Sequence, residues 1–201
     1  MNKAFVKSEL FLIKNDKLLA PVIKKNGHLI FSNKKTDTFN ELIEIVISQF
    51  ISTKAAKAIK QNILSKFKEE NFKIKSFEKL SISQIKNLGL SKNKAKSIDD
   101  IIAWSNSKPS KNYIFELSRD EREKELLSIF GIGQWSVDMF EMFCVRNANI
   151  FSSGDAALRQ AMIQLGMVKK ESNLSSYDNY SKKWNPYKTH ACLHLWHMIE
   201  S

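Results

Sequence analysis

The stretch LLSIFGIGQWSVDMFEMF, residues 126–143, reads as a helix, a tight Gly131-Ile132-Gly133 turn and a second helix. Apolar residues on both sides keep the helical spacing of three and four, and the glycines permit the turn. The first backbone N–H groups of the second helix have no acceptor within it, and the helix dipole favours an anion there. Two glycines leave no side chain between backbone and ligand, so Gly131, Gly133, Gln134 and Ser136 are the expected phosphate contacts. Such a hairpin grips a nucleic-acid backbone without reading its sequence. The pattern also suits an ordinary glycine-capped turn between two helices.

Outward from this hairpin the helical period continues. Ser118 with Glu121 forms a capping box for a helix to Phe130, and the second hairpin helix is expected from Gln134 to Val145. The loop RNANIFSSG, 146–154, precedes a helix opened by Asp155 and stopped near Gly166. Upstream, Thr38 with Glu41 heads an apolar stripe of Phe39, Leu42, Ile43, Val46, Ile47 and Phe50. A helix follows over about 54–67; Ser81 with Gln84 opens a short one ending at Gly89, and Ser91 opens another carrying Ala95, Ile98 and Ile102. SNSKPSK, 105–111, is the clearest linker, and a polar stretch to Lys183 leads to a last helix over 189–198. The expectation is an all-α, two-lobed helical bundle with a helix-hairpin-helix motif. It comprises a helical extension 1–36 packed on the core, a lobe 37–111 and a hairpin lobe 112–201, together forming one integrated unit.

The 201 residues include 43% hydrophobic side chains, which excludes a disordered chain. Lys and Arg number 32 against 21 Asp and Glu, a net charge of +11 that favours a polyanionic partner over a merely solvated basic surface. Only Arg119, Arg122, Arg146 and Arg159 are arginines, which points to phosphate contacts more than to base edges. Cys144 and Cys192 are the only cysteines, too few for a disulfide framework or a four-thiolate iron–sulfur cluster. Charges interrupt the first apolar stretches, and no apolar run approaches the ~18–20 residues that span a bilayer. A soluble cytoplasmic monomer without a membrane partner is expected, nucleoid-associated if the source is bacterial.

The tract from Leu126 to Leu165, with GIGQW and, about twenty residues on, GDAALRQA, resembles the helix-hairpin-helix DNA glycosylase superfamily, closest to its 3-methyladenine (alkylated-base) branch. VISQFISTKAA at 46–56, LGLSKNKAKSI at 88–98 and WNPYKTHACLHLW at 184–196 agree with that branch in order and distance, so the resemblance covers roughly 37–197. It implies the compact form, because 36 residues ahead of Asp37 cannot hold the extra N-terminal sheet domain of larger members. Phe50, Ser152 and Lys188 depart from the usual family residues at their positions.

By this resemblance Asp155, opening the helix after the hairpin, is the catalytic residue. The chemistry agrees: breaking an N-glycosidic bond puts positive charge on the sugar, and a fixed carboxylate stabilises it and orients or deprotonates the attacking water. A plain helix cap is the alternative reading of Asp155. In bifunctional family members the second residue after the GxG turn is a lysine that forms a Schiff base; here it is Trp135, which implies a monofunctional, water-using reaction. Trp135, Trp196 and Met139 are the expected base-pocket residues, indole faces favouring a cationic alkylated purine; core packing is the alternative for each tryptophan. Phe50 or Gln49 is the expected wedge entering the gap left by a flipped nucleotide, with core burial the alternative for Phe50.

His190, His194 and His197 share a helical spacing, but without an HExxH no catalytic metal is expected. No cofactor is implied beyond a monovalent cation on hairpin carbonyls. The implied activity is hydrolysis of alkylated purines from double-stranded DNA bound across the cleft between lobes, with an abasic-site endonuclease acting downstream. A non-catalytic helix-hairpin-helix DNA-binding protein is the rival, and only Asp155 separates the two in sequence.

Overall fold

The computed structural model describes residues 5–32 and 36–200; residues 1–4 and 33–35 of the expected extension 1–36 lie outside them. The described residues form α1 (Lys7–Asn15), α2 (Ala20–Asn26), α3 (Thr38–Ser48), α4 (Thr53–Phe67), α5 (Ile74–Phe77), α6 (Ile82–Lys86) and α7 (Lys92–Asn106). They continue with α8 (Tyr113–Glu116), α9 (Arg119–Leu127), α10 (Gln134–Phe140), α11 (Ala156–Gln164), α12 (Leu174–Ser181) and α13 (Lys188–Glu200). No strand occurs among the described residues, in keeping with the all-α expectation. Polar caps start these helices: the side chains of Ser52, Ser81, Ser91 and Ser118 each accept a hydrogen bond from the third residue of the helix they open. Each such cap contributes about 1 kcal/mol.

The chain divides into two compact units, residues 35–145 and residues 1–34 with 146–201. The expected lobe boundary at 111–112 falls inside the first of these. Side chains stitch the segment across it: Trp104 Nε1 donates to Glu125 at 2.7 Å, and Lys108 pairs with the same carboxylate.

In unit 35–145, α3 is the central element. Phe39, Leu42, Ile43, Val46 and Ile47 are buried, and so is Ile45. Its cap is Asp37, whose carboxylate accepts from Asn40 N at 2.9 Å, in place of the expected Thr38; Thr38 is buried, and Glu41 accepts from Thr36 Oγ1 instead. Ala95, Ile98 and Ile101 of α7 and Val137 and Phe140 of α10 complete the core. Glu141 and Asp138 are both buried; Glu141 pairs with buried Arg122, and Asp138 accepts from Gln134. Removing one partner of a buried ion pair typically costs about 3–5 kcal/mol. Cys144 is buried, which pushes its thiol up to about 12 and leaves it unreactive.

In the other unit, α13 packs on α1, α2 and α11. Asp16 ties the unit together, accepting from Trp184 Nε1 at 2.8 Å and Tyr180 Oη at 3.1 Å. α12 lies in the stretch expected to be polar loop: NLSSYDNYS has little helical period, but Asn173 caps it and Tyr177 and Ser181, one turn apart, are buried. The α13 histidines differ in burial. His194 is buried with Nε2 3.5 Å from Glu9 Oε1, burial pushing it down to about 4, whereas His197 is exposed. No helix among the described residues is long and apolar enough to cross a membrane.

Candidate active site and nucleic-acid interface

The hairpin is built as its sequence predicts, although α9 stops at Leu127 rather than Phe130. Ile132 N donates to the Ile129 carbonyl at 3.1 Å, closing the turn. Gly131 has φ +81°, and a Cβ there would come within 2.0 Å of Ser97 Oγ on α7, so conformation and space both demand glycine. Gly133 caps α10 in extended conformation, with open space around it, and the first intrahelical bond runs from Val137 N to its carbonyl. Gly133 and Gln134 are exposed ahead of that bond, where a helix offers backbone N–H groups no acceptor.

Ser136 differs from the expectation of a phosphate contact: it is 2% exposed, and its hydroxyl accepts from Gln49 Nε2 at 2.9 Å. The same Gln49 amide donates to the Gly131 carbonyl at 2.9 Å. Gln49 therefore braces the hairpin rather than standing out from the surface. The Ile129 and Gly131 carbonyls each accept one hydrogen bond, and a carbonyl keeps a second lone pair. The turn thus retains oxygen donors of the type a monovalent cation takes.

Phe50 follows directly. The helix beneath the apolar stripe stops at Ser48, where Gln49 leaves the helical conformation with ψ 131°, and Phe50 follows beyond it in the left-handed conformation, φ +58°. Its side chain is fully exposed, at 101%, which overturns core burial. Lys94 Nζ, from α7, donates to the Ile47 carbonyl at 2.7 Å, and burial lowers its pKa from the usual lysine value. Lys94 and Ser97 carry no signal in the sequence beyond their place within LGLSKNKAKSI. Trp135 is half-buried, and Met139 is buried at 5% exposure in the core of its unit.

Asp155 lies in the other unit, where the loop ahead of it is anchored to α13: Thr189 Oγ1 donates to the Asn147 carbonyl at 2.7 Å and accepts from Ile150 N at 3.1 Å. Asp155 N bonds to the Ser152 carbonyl at 3.1 Å, and its half-buried carboxylate caps α11, Oδ1 accepting from Leu158 N at 2.8 Å. Trp196 Nε1 donates to the same Oδ1 at 3.1 Å. The helix dipole and two donors fix a negative charge at one orientation, the arrangement that stabilises a developing cation. Among the described residues no group of three His, Cys, Asp or Glu side chains could hold a metal ion.

The family model of HhH-GPD superfamily base excision DNA repair proteins matches residues 43–186, more than half of the chain. The chain belongs to this superfamily. The matched span holds the hairpin, the Gln49–Phe50 turn and Asp155 of this HhH-GPD DNA glycosylase. It is 27% identical over 168 residues to the DNA-3-methyladenine glycosylase 1 of Schizosaccharomyces pombe, covering 82% of this chain and 74% of that protein. The structure of the S. pombe 3-methyladenine DNA glycosylase in complex with abasic DNA superposes with a TM-score of 0.87 at 24% identity, over 98% of each chain. An 8-oxoguanine glycosylase/lyase from Clostridium acetobutylicum superposes with a TM-score of 0.81 at 18% identity, over 96% of this chain and 69% of that one. These likenesses show the fold. Since one of the structures is a glycosylase/lyase and the other is not so described, the HhH-GPD fold by itself assigns no lyase chemistry.

Proposed function

We propose that this chain is a monofunctional glycosylase that hydrolyses the N-glycosidic bond of alkylated purines, of the 3-methyladenine type, in duplex DNA. The observation that carries the reading is the Asp155 carboxylate, held at the head of α11 by Leu158 N and Trp196 Nε1. The S. pombe relative's name supplies the substrate class. An alkylated purine already carries positive charge, so it departs neutral when the C1′–N bond breaks and needs no general acid. The remaining task is to stabilise the cationic sugar and to accept the proton of the water that attacks C1′, which one carboxylate performs. Trp135 stands at the position of the lyase lysine, and an indole offers no amine to form an imine.

Phosphate contact falls to the exposed backbone at Gly133 and Gln134, and Phe50 is the residue that enters the stack when the damaged nucleotide leaves it. Trp135 lines the base pocket. Trp196 serves the carboxylate through its N–H in addition to any stacking. A monovalent cation, when bound, would rest on the turn carbonyls and supply positive charge to a phosphate; the chemistry at Asp155 is independent of it. The product is an abasic site, the substrate of an abasic-site endonuclease.

The test is release of free base from duplex DNA carrying 3-methyladenine or 7-methylguanine, without added cofactor and with borohydride present. Free base with no covalent adduct is expected. DNA binding without base release would leave a binding module, and an adduct formed at the rate of base release and abolished in a single lysine variant would assign the lyase class.

A further inference from the structure

The C-terminal end of α3 holds a residue in an unfavourable conformation. The left-handed region strains a non-glycine residue, and the exposed Phe50 ring buries nothing to offset it. Ending the helix there also removes the acceptor's usual partner: the Ile47 carbonyl would have bonded to Ile51 N, and instead receives the Lys94 ammonium. A cation at a helix C-terminus is favoured by the dipole. Two residues after Ile47, the Gln49 amide bridges the Gly131 carbonyl and the Ser136 hydroxyl. One brace therefore comes from α7 and the other from the hairpin, and the strained residue follows both.

We propose that Lys94 and Gln49 are positioning residues that hold the Phe50 turn against the hairpin, so that the ring is presented at a set distance from the phosphate grip at Gly133–Gln134 before DNA arrives. Gln49 is thereby a brace and not the wedge. Preorganisation of this kind removes the cost of ordering the turn at the moment of binding. The inference rests on the reading of Phe50 as the wedge and deepens it: phosphate engagement and wedge insertion become one rigid event, since both act through residues bonded to Gly131 and Ser136.

The experiment follows flipping by fluorescence of 2-aminopurine placed beside 3-methyladenine or an abasic analogue in a duplex, together with single-turnover base release. The variants are Phe50→Ala, Lys94→Met, Lys94→Arg, Gln49→Leu and the double variant Phe50→Ala/Lys94→Met. Lys94→Met is expected to lower both signals about tenfold or more, as a misplaced group does, while the slope of log affinity against log salt stays that of the parent. Lys94→Arg recovers most of the loss. In the Phe50→Ala background Lys94→Met adds nothing, because it acts through that ring. A merely structural role would give additive losses that track melting temperature. Unchanged flipping in Lys94→Met, or additivity with Phe50→Ala, overturns the inference; should Lys94→Met fail to fold, Gln49→Leu decides on the same criteria. Normal flipping by Phe50→Ala removes the wedge reading itself, a distinguishable result that takes the inference with it.

Discussion

Two helix ends carry the proposed chemistry, and they are made in opposite ways. At the start of α11, Asp155 has an ordinary extended backbone and bonds to Leu158 three residues on, so most of its geometry is local. At the end of α3, Phe50 has a left-handed backbone and an exposed ring, and its setting depends on Lys94 and on Gly131 and Ser136, far along the chain. In the proposed mechanism the first end works by charge, which a cap places naturally. The second, as the proposed wedge, works by shape, which a helix end does not provide unless other elements hold it.

The sharpest way to break this contrast is Asp155→Asn. Asparagine caps a helix as well as aspartate, so the melting temperature should stay near that of the parent while base release falls about 10²–10³-fold, the loss typical of a removed electrostatic group. Single-turnover release near the parent rate would remove Asp155 from the mechanism; a large fall in stability would show that the end is less local than its bonds suggest. Next in size is Trp196→Phe, which keeps an aromatic plane and deletes the N–H given to Asp155. A hydrogen bond to a charged group contributes about 1.5–3 kcal/mol, and with Asp155 half-buried a rate loss of about tenfold at unchanged KM is expected. A rise in KM with unchanged kcat would mean that Trp196 serves the base alone.

Smallest is the stability change in Phe50→Gly. Glycine takes the left-handed conformation freely, so this variant should gain up to about 1 kcal/mol in urea unfolding while losing flipping. Loss of stability instead would show that the ring packs against the protein in solution. A protein made more stable and less active by one substitution is the signature of strain kept for function.

Much of this arrangement was legible beforehand. Ser81, Ser91 and Ser118 start helices where their spacing predicts, and Gly131 forms the turn that places Gly133 at the head of α10. The misreadings share a cause. Asp37 rather than Thr38 caps α3 because either residue type can accept from a helix N–H, and burial of Thr38 chooses between them. α12 has weak helix formers and is held by burial of Tyr177 beneath it. The linker at 105–111 looked like a lobe boundary by composition, yet Glu125 gathers Trp104 and Lys108 across it.

The sequence by itself determined the helical class, the hairpin, the charge that suits DNA and the position of Asp155 at a helix start. Each depends on residues within about one turn of one another or on composition alone. Tertiary structure decided that Phe50 is exposed, that Gln49 and Ser136 face each other, that Lys94 closes α3 and that Trp196 points its N–H at Asp155. Those contacts join residues from 41 to 87 positions apart, where local periodicity carries no information and only the packing of one helix on another brings the partners together.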